Sequence, residues 1–266
     1  MSRTRDAFTL VELSIVLVIL GLLVGGVLAG QSLIHAAELR AVNNEFTNFK
    51  TALGAFREKY FAVPGDMSNA VKFWGAAAGG TSDGVDGTCS VLTSSSPSTG
   101  TETCNGDGNG GIGDGGAGNY HEWFRAWQHL ANAGLIEGNY TGVPGAAGTF
   151  DSVGKQNVPG SRYPSAIWGI RDFSSYTAGD SDTFPGRYHN VIFFGAYTSN
   201  DLAWNPVLKA EDAYNIDVKT DDGKPNTGNI LAMKNSYRPD CVAGGDTDYD
   251  LSNANTGCNL LMISGY

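Results

Sequence analysis

The sequence predicts an α+β fold: one long N-terminal helix laid on an antiparallel sheet, with a large glycine-rich insertion and a second helix between them. Three observations carry this. Leu13 to Ile34 contains no charged residue over 22 positions. Phe46, Phe49, Leu53, Phe56 and Tyr60 then recur at spacings of three and four, the stripe of a one-sided helix. The second half of the chain holds four short runs, "SAIWGIRDF", "RYHNVIFFGAY", "NILAMK" and "NLLMISGY". These are rich in β-branched and aromatic residues and are divided by Gly, Pro, Asn and Asp, as strands are.

Taken in order, one helix is expected from about Phe8 to about Tyr60, ended by Pro64-Gly65. Its first half (8–34) is apolar all round and long enough for a bilayer core, which needs about 20 helical residues. That half must face lipid or other copies of itself. Its second half (35–61) is one-sided and must pack on a domain, 35–266. Gly21, Gly25, Gly26 and Gly30 weaken the first half. They serve either close helix approach or local unwinding, and the sequence leaves both readings open.

"AVPGDMSNAVKFWG" reads as a turn and a short helix capped by Asp66 or Ser68. An insertion spans 75–138. Its first part, to Asn119, is rich in Gly, Ser, Thr and Asp and poor in apolar residues, so it is a loop. Its second part, "NYHEWFRAWQHLANAGLIEG", is a helix with Trp123, Trp127 and Leu130 on one face and Gly134 at its end. The strand-rich part covers 163–266, and a sheet packed on the stripe of the long helix buries both.

The start of the chain carries a family signature. "FTLVELSIVLVILGLL", after a head with Arg3 and Arg5, resembles the N-terminal signal of type IV prepilins and type II secretion pseudopilins. The resemblance implies a seven-residue leader (1–7), a cut by prepilin peptidase between Ala7 and Phe8, and N-methylation of Phe8. The chain departs from the usual pattern in having Ala7 where a glycine commonly precedes the cut. The resemblance also gives Glu12 a role. Cleavage creates a cationic amine at Phe8, and Glu12 would face such an amine in a filament, so that only a correctly staggered subunit neutralises it. It implies a single-pass inner-membrane precursor that assembles with other pilins or pseudopilins into a pilus or a periplasmic pseudopilus. A low-copy minor subunit that binds Ca²⁺, a surface or a secreted substrate is the alternative.

Cys89, Cys104, Cys241 and Cys258 allow three pairings. Short-loop closure favours Cys89–Cys104 and Cys241–Cys258, and exported topology favours disulfides over free thiols. By resemblance to many pilins, the second bridge staples the C-terminal loop to the last strand. Calcium is the one cofactor the sequence suggests. In "CNGDGNGGIGDG", Asn105, Asp107 and Asn109 alternate before Gly110, as in the first part of an EF-hand loop. The closing acid is missing, so Asp114 or Glu122 would substitute. Asp246, Asp248 and Asp250 form a second alternating candidate, supported by the Ca²⁺ sites of related pseudopilins. The acids of "NIDVKTDDGKPNTG" are read as turn formers around Asp222-Gly223.

Other classes fit poorly. A net charge of −10 provides no basic footprint for nucleic acid. "HEWFR" opens like a zinc-protease helix, but Arg125 stands where a second histidine is needed. His35, His121, His129 and His189 form no ligand spacing with cysteine. The tryptophans at 123, 127, 168 and 204 are better read as core than as a sugar-binding surface.

Overall fold

A computed structural model of the chain describes residues 9–77, 100–113, 122–174, 184, 186, 188–233 and 239–265. In chain order the elements are α1 (Leu10–Tyr60), α2 (Val71–Trp74), α3 (Glu122–Asn132), β1 (Ala166–Arg171), β2 (Val191–Ala196), β3 (Leu208–Lys209), α4 (Ala210–Thr220), β4 (Ile230–Ala232), β5 (Thr256–Cys258) and β6 (Leu260–Ile263).

The 51-residue α1 runs unbroken through all four of its glycines. A side chain at any of them would meet nothing within 4 Å, so the glycines open no helix contact within one subunit. At 1.5 Å per residue α1 is about 75 Å long. Leu10 to Ala29 is exposed throughout. Burial starts at Leu39 and continues at Val42, Phe46, Leu53 and Phe56, with Phe49 and Tyr60 packed against the same core. The expected stripe is therefore real, and it reaches seven residues further toward the membrane half.

β1, β2, β6 and β4 form one antiparallel sheet in that order. All four expected strand runs supply its strands. Trp168 lies opposite Phe194, and Gly169 opposite Phe193. Because side chains alternate across a strand, neighbouring phenylalanines serve different faces. Phe49 of α1 sits edge-on to both Trp168 and Trp127, at ring separations of 5.4 and 5.0 Å, tying α1, α3 and one sheet face together. Phe193 packs on the other face with Phe173 and Trp204, at 5.3 and 4.9 Å. A sheet covered on both sides needs no polar face, which is why "VIFF" reads as a continuous apolar run. Trp123, Trp127 and Trp168 are buried and Trp204 packs on the core, so these tryptophans are core residues.

α3 is shorter than expected. It ends in a Schellman motif: Leu135 N–H reaches Leu130 O, Gly134 N–H reaches Ala131 O, and Gly134 takes φ +72°. Two sequence expectations need correcting. Neither Asp66 nor Ser68 caps α2; the Val71 N–H donates to Asn105 Oδ1 at 2.9 Å instead. The segment "AEDAYNIDVKT", partly read as a turn, is the helix α4, which buries Ala210, Ala213 and Ile216. α4 lies beside α1: His35 Nε2 meets Asp212 Oδ1 at 2.7 Å, just where α1 leaves the domain. On the other flank Glu45 accepts from Ser161 Oγ, Arg162 N–H and Trp168 Nε1 at 2.6, 2.9 and 2.8 Å.

The Cys241–Cys258 disulfide is present. It joins the C-terminal loop to β5, the strand before the last, which pairs with β3. Cys104 is also disulfide-bonded. Cys89, its expected partner, lies outside the described residues.

Candidate assembly helix and acidic cluster

The first candidate site is the start of α1. Thr9 is its N-cap, and Glu12 closes a capping box with it. Glu12 Oε2 accepts from the Thr9 N–H at 2.8 Å and from Thr9 Oγ1 at 2.9 Å. Thr9 Oγ1 in turn accepts from the Glu12 N–H at 3.2 Å. Among the described residues, both bonds received by the carboxylate fall on Oε2. Ala7 and Phe8 lie outside the described residues. Behind this cap stands the exposed apolar rod. A helix of this length and composition can cross a membrane. In water it would be an aggregation liability, since so large a contiguous apolar surface demands a cover.

The second candidate is a carboxylate cluster under the loop that begins at Cys104. Asp66, Asp107 and Glu122 place carboxylate oxygens within 4.8 Å of one another. The loop wraps the two buried acids with its amides. Gly108 and Asn109 N–H groups donate to Asp66 Oδ1 at 2.6 and 3.1 Å, and Gly110 N–H donates to Oδ2 at 2.8 Å. Asp107 N–H and Gly113 N–H donate to the two oxygens of Glu122 at 3.2 and 2.9 Å. Burial, followed by a hydrogen bond with the Asp107 carboxyl, pushes Asp66 up to about 7. Burial pushes Glu122 up to about 9, against the amides of Gly113 and Asp107. The charge of Asp107 acts on Asp66, and the charges of both act on Glu122, in the same direction as burial.

Of the first set of expected calcium ligands, Asp107 and Glu122 thus come together. Asn105 is turned away to cap α2. Asn109 makes a local turn, its Oδ1 accepting from Gly111 N–H at 2.7 Å and its Nδ2 donating to Asp107 Oδ2 at 2.7 Å. Asp114 lies outside the described residues. The third carboxylate is Asp66, one of the two residues expected from sequence to cap α2.

The second set does not converge. Lys224 Nζ meets Asp248 Oδ1 at 2.5 Å, while Asp250 Oδ1 accepts from Ser252 Oγ at 2.6 Å. The acids that do gather in this region are Asp217, Asp221 and Asp222. They hold a turn, as their spacing suggested: Asp217 accepts from Gly223 N–H and Tyr249 OH, and Asp222 from Lys224 N–H. Residues 80–84 spell the G-x-S-x-G of a nucleophile elbow but lie outside the described residues.

An α+β head clasping a long helix whose free half is apolar and begins at a threonine–glutamate box is a pilin-like arrangement. Comparison finds a matching signature at the N-terminus. The family described as the prokaryotic N-terminal methylation motif matches residues 2–28, the signature of type IV pilin and pseudopilin precursors. The match covers the residues just before α1 and the exposed start of α1, and leaves the head untouched. No curated protein and no solved structure matches the chain. The motif and the apolar helix fit a precursor anchored in the inner membrane, processed by prepilin peptidase and assembled with other pilins.

Proposed function

We propose that the chain is a structural subunit of a type IV pilus or a type II secretion pseudopilus, cut between Ala7 and Phe8 and N-methylated at Phe8. The observation that carries this is the exposed apolar helix of Leu10–Ile34, whose one charged side chain is the capped carboxylate of Glu12 near its start. In hydrocarbon an unpaired carboxylate costs several kcal/mol. Thr9 supplies two hydrogen bonds but no charge. The amine freed at Phe8 supplies the charge, from the same or a neighbouring subunit. Glu12→Val tests this: the variant should insert in the membrane normally and be missing from filaments. Filaments containing the variant at wild-type abundance would overturn the reading.

A second reading, a low-copy subunit that takes up Ca²⁺, draws on the cluster of Asp66, Asp107 and Glu122. Hard oxygen ligands of this kind suit Ca²⁺, and the ion would replace the protons that burial otherwise imposes. The test is thermal melting of the full-length chain in detergent with Ca²⁺ and with chelator. A stabilised melting point that Asp107→Asn abolishes supports the reading, and identical melting in both conditions refutes it.

A further inference from the structure

An asparagine followed by glycine can react with its own backbone, because no side chain shields the next nitrogen from the carboxamide. The chain has two such pairs, Asn105–Gly106 and Asn109–Gly110, both in the loop that begins at Cys104. The fold treats them differently. Asn105 is buried, its Oδ1 receives the Val71 N–H at 2.9 Å, and the Gly106 N–H donates to Met67 O at 3.0 Å. A peptide carbonyl is no base. A Cβ at Gly106 would stand 2.3 Å from the Asp66 backbone, so this pair has no room to move either.

Asn109 and Gly110 are exposed, and a Cβ at Gly110 would meet nothing within 4 Å. Each atom that must change here has a partner suited to the change. The Gly110 N–H donates to a carboxylate oxygen, Asp66 Oδ2, at 2.8 Å. Asn109 Oδ1 accepts from the Gly111 N–H at 2.7 Å, the kind of donor that a developing oxyanion needs. Asn109 Nδ2, the leaving nitrogen, lies 2.7 Å from Asp107 Oδ2. Asp66 and Asp107 are joined by a hydrogen bond of their own, so a proton has one continuous path from Gly110 N to Asn109 Nδ2.

We propose that Asn109 modifies itself, closing a succinimide with Gly110 that opens to aspartate or isoaspartate. Gly110 N bonds to Asn109 Cγ, its proton passes to Asp66, and the C=O electron pair moves onto Oδ1. As that pair returns, the Cγ–Nδ2 bond breaks, and Nδ2 leaves as ammonia with the proton relayed through Asp107. Water then adds to either succinimide carbonyl and breaks its bond to the ring nitrogen. One water is consumed for each ammonia released. In the aspartate product a carboxylate faces Asp107 where an amide donated, so the loop loses that hydrogen bond. The reaction needs neither filament assembly nor Ca²⁺.

The test incubates the full-length chain in detergent, chelator and heavy-oxygen water, and maps residues 104–113 by mass spectrometry. Aspartate and isoaspartate should both accumulate at 109 with one heavy oxygen, about a hundredfold faster than at 105, as a positioned acid and base allow. Asp66→Asn and Asp107→Ala should each remove most of that advantage, with conversion at 105 unchanged. Melting checks that both variants are folded, and Asp107 is exposed, so its replacement leaves the packing intact. In urea the two pairs should convert alike. Folded-state conversion at 109 no faster than at 105, unmoved by both substitutions, or equally favoured in urea overturns the proposal. Aspartate without isoaspartate overturns the succinimide. The acids facing Asp66 are Asp107 and Glu122, and burial with the Asp107 hydrogen bond raises Asp66 to about 7. Conversion at 109 should therefore level off above about pH 7, and a rate that keeps climbing with hydroxide argues against Asp66 as the base.

Discussion

At the scale of single residues, Oε2 of Glu12 caps the helix, and the proposed pairing with an amine is a second task for the same carboxylate. The two can be separated. Thr9→Val removes a capping hydroxyl that contributes about 1 kcal/mol to the helix start. It leaves the charge of Glu12 intact. Thr9→Val should therefore fray the first turn, read as faster amide exchange at Val11–Leu13, and reduce filament yield less than Glu12→Val does. Equal losses from both variants would mean that capping, not charge, governs assembly.

His129 shows the opposite use of a polar residue. It is wholly buried, and Gly65 N–H donates to its Nδ1 at 3.0 Å. Its proton therefore sits on Nε2, 2.8 Å from Thr103 Oγ1. Burial, helped by the nearby Arg125, pushes it down to about 3, so it is a neutral pin between α3, the Gly65 turn and the Thr103 segment. No spacing rule marks such a histidine, because its partners lie 64 and 26 residues away in sequence.

Among the elements, the junction between α1 and α3 depends on a glycine. Gly65 has φ +90°, and a Cβ there would stand 2.5 Å from Glu122 O. Gly65→Ala combines backbone strain with a clash against main chain, and should cost roughly 2 kcal/mol or more. Thermal unfolding checks this. A melting point equal to wild type would show that the turn relaxes freely.

What could be read from sequence at this scale follows a simple division. α1 and the four strands of the main sheet were legible because their periodicity is local: Phe46 to Tyr60 repeats at helical spacing, and "VIFF" is a buried strand. α4 was hidden because Asp212, Asn215 and Asp217 break its apolar stripe. These polar residues are paired with distant groups, Asp212 with His35 and Asp217 with Tyr249. The acidic cluster was half legible. Asp107 and Glu122 lie in the loop and helix that drew attention, but Asp66 joins them from more than 40 residues away, through amides that no motif records.

For the molecule as a whole, the buried acids set how stability depends on pH. Asp66, Glu122 and Asp217 have folded values raised to about 7, 9 and 6. The folded state therefore binds protons that the unfolded chain has released. Their contribution is complete below the unfolded carboxylate values near 4 and is lost as pH rises through about 6 to 9. His129 works the other way. Its folded value is depressed, so its contribution is complete above about 6.5 and is lost as pH falls toward 3. Without divalent cations the head should be most stable near pH 4, where three acids outweigh one histidine, and weaken toward pH 8, by chemical denaturation at matched ionic strength. Saturating Ca²⁺ should flatten the alkaline side. A stability maximum at pH 8 in chelator would contradict the assignment of these acids.

The His35–Asp212 contact also has a consequence for geometry at the membrane. It fixes where α1 becomes free, so the projecting rod is Leu10–Ile34, about 37 Å of helix. The hydrocarbon core is about 30 Å thick. Standing upright with its first turn at the inner edge of the core, the rod lifts the base of the head some 7 Å clear of the outer edge, into the headgroup layer. The clasp is in effect a depth stop: it sets how far the head stands off from lipid while the subunit waits, and how much helix must slide free before the subunit can leave.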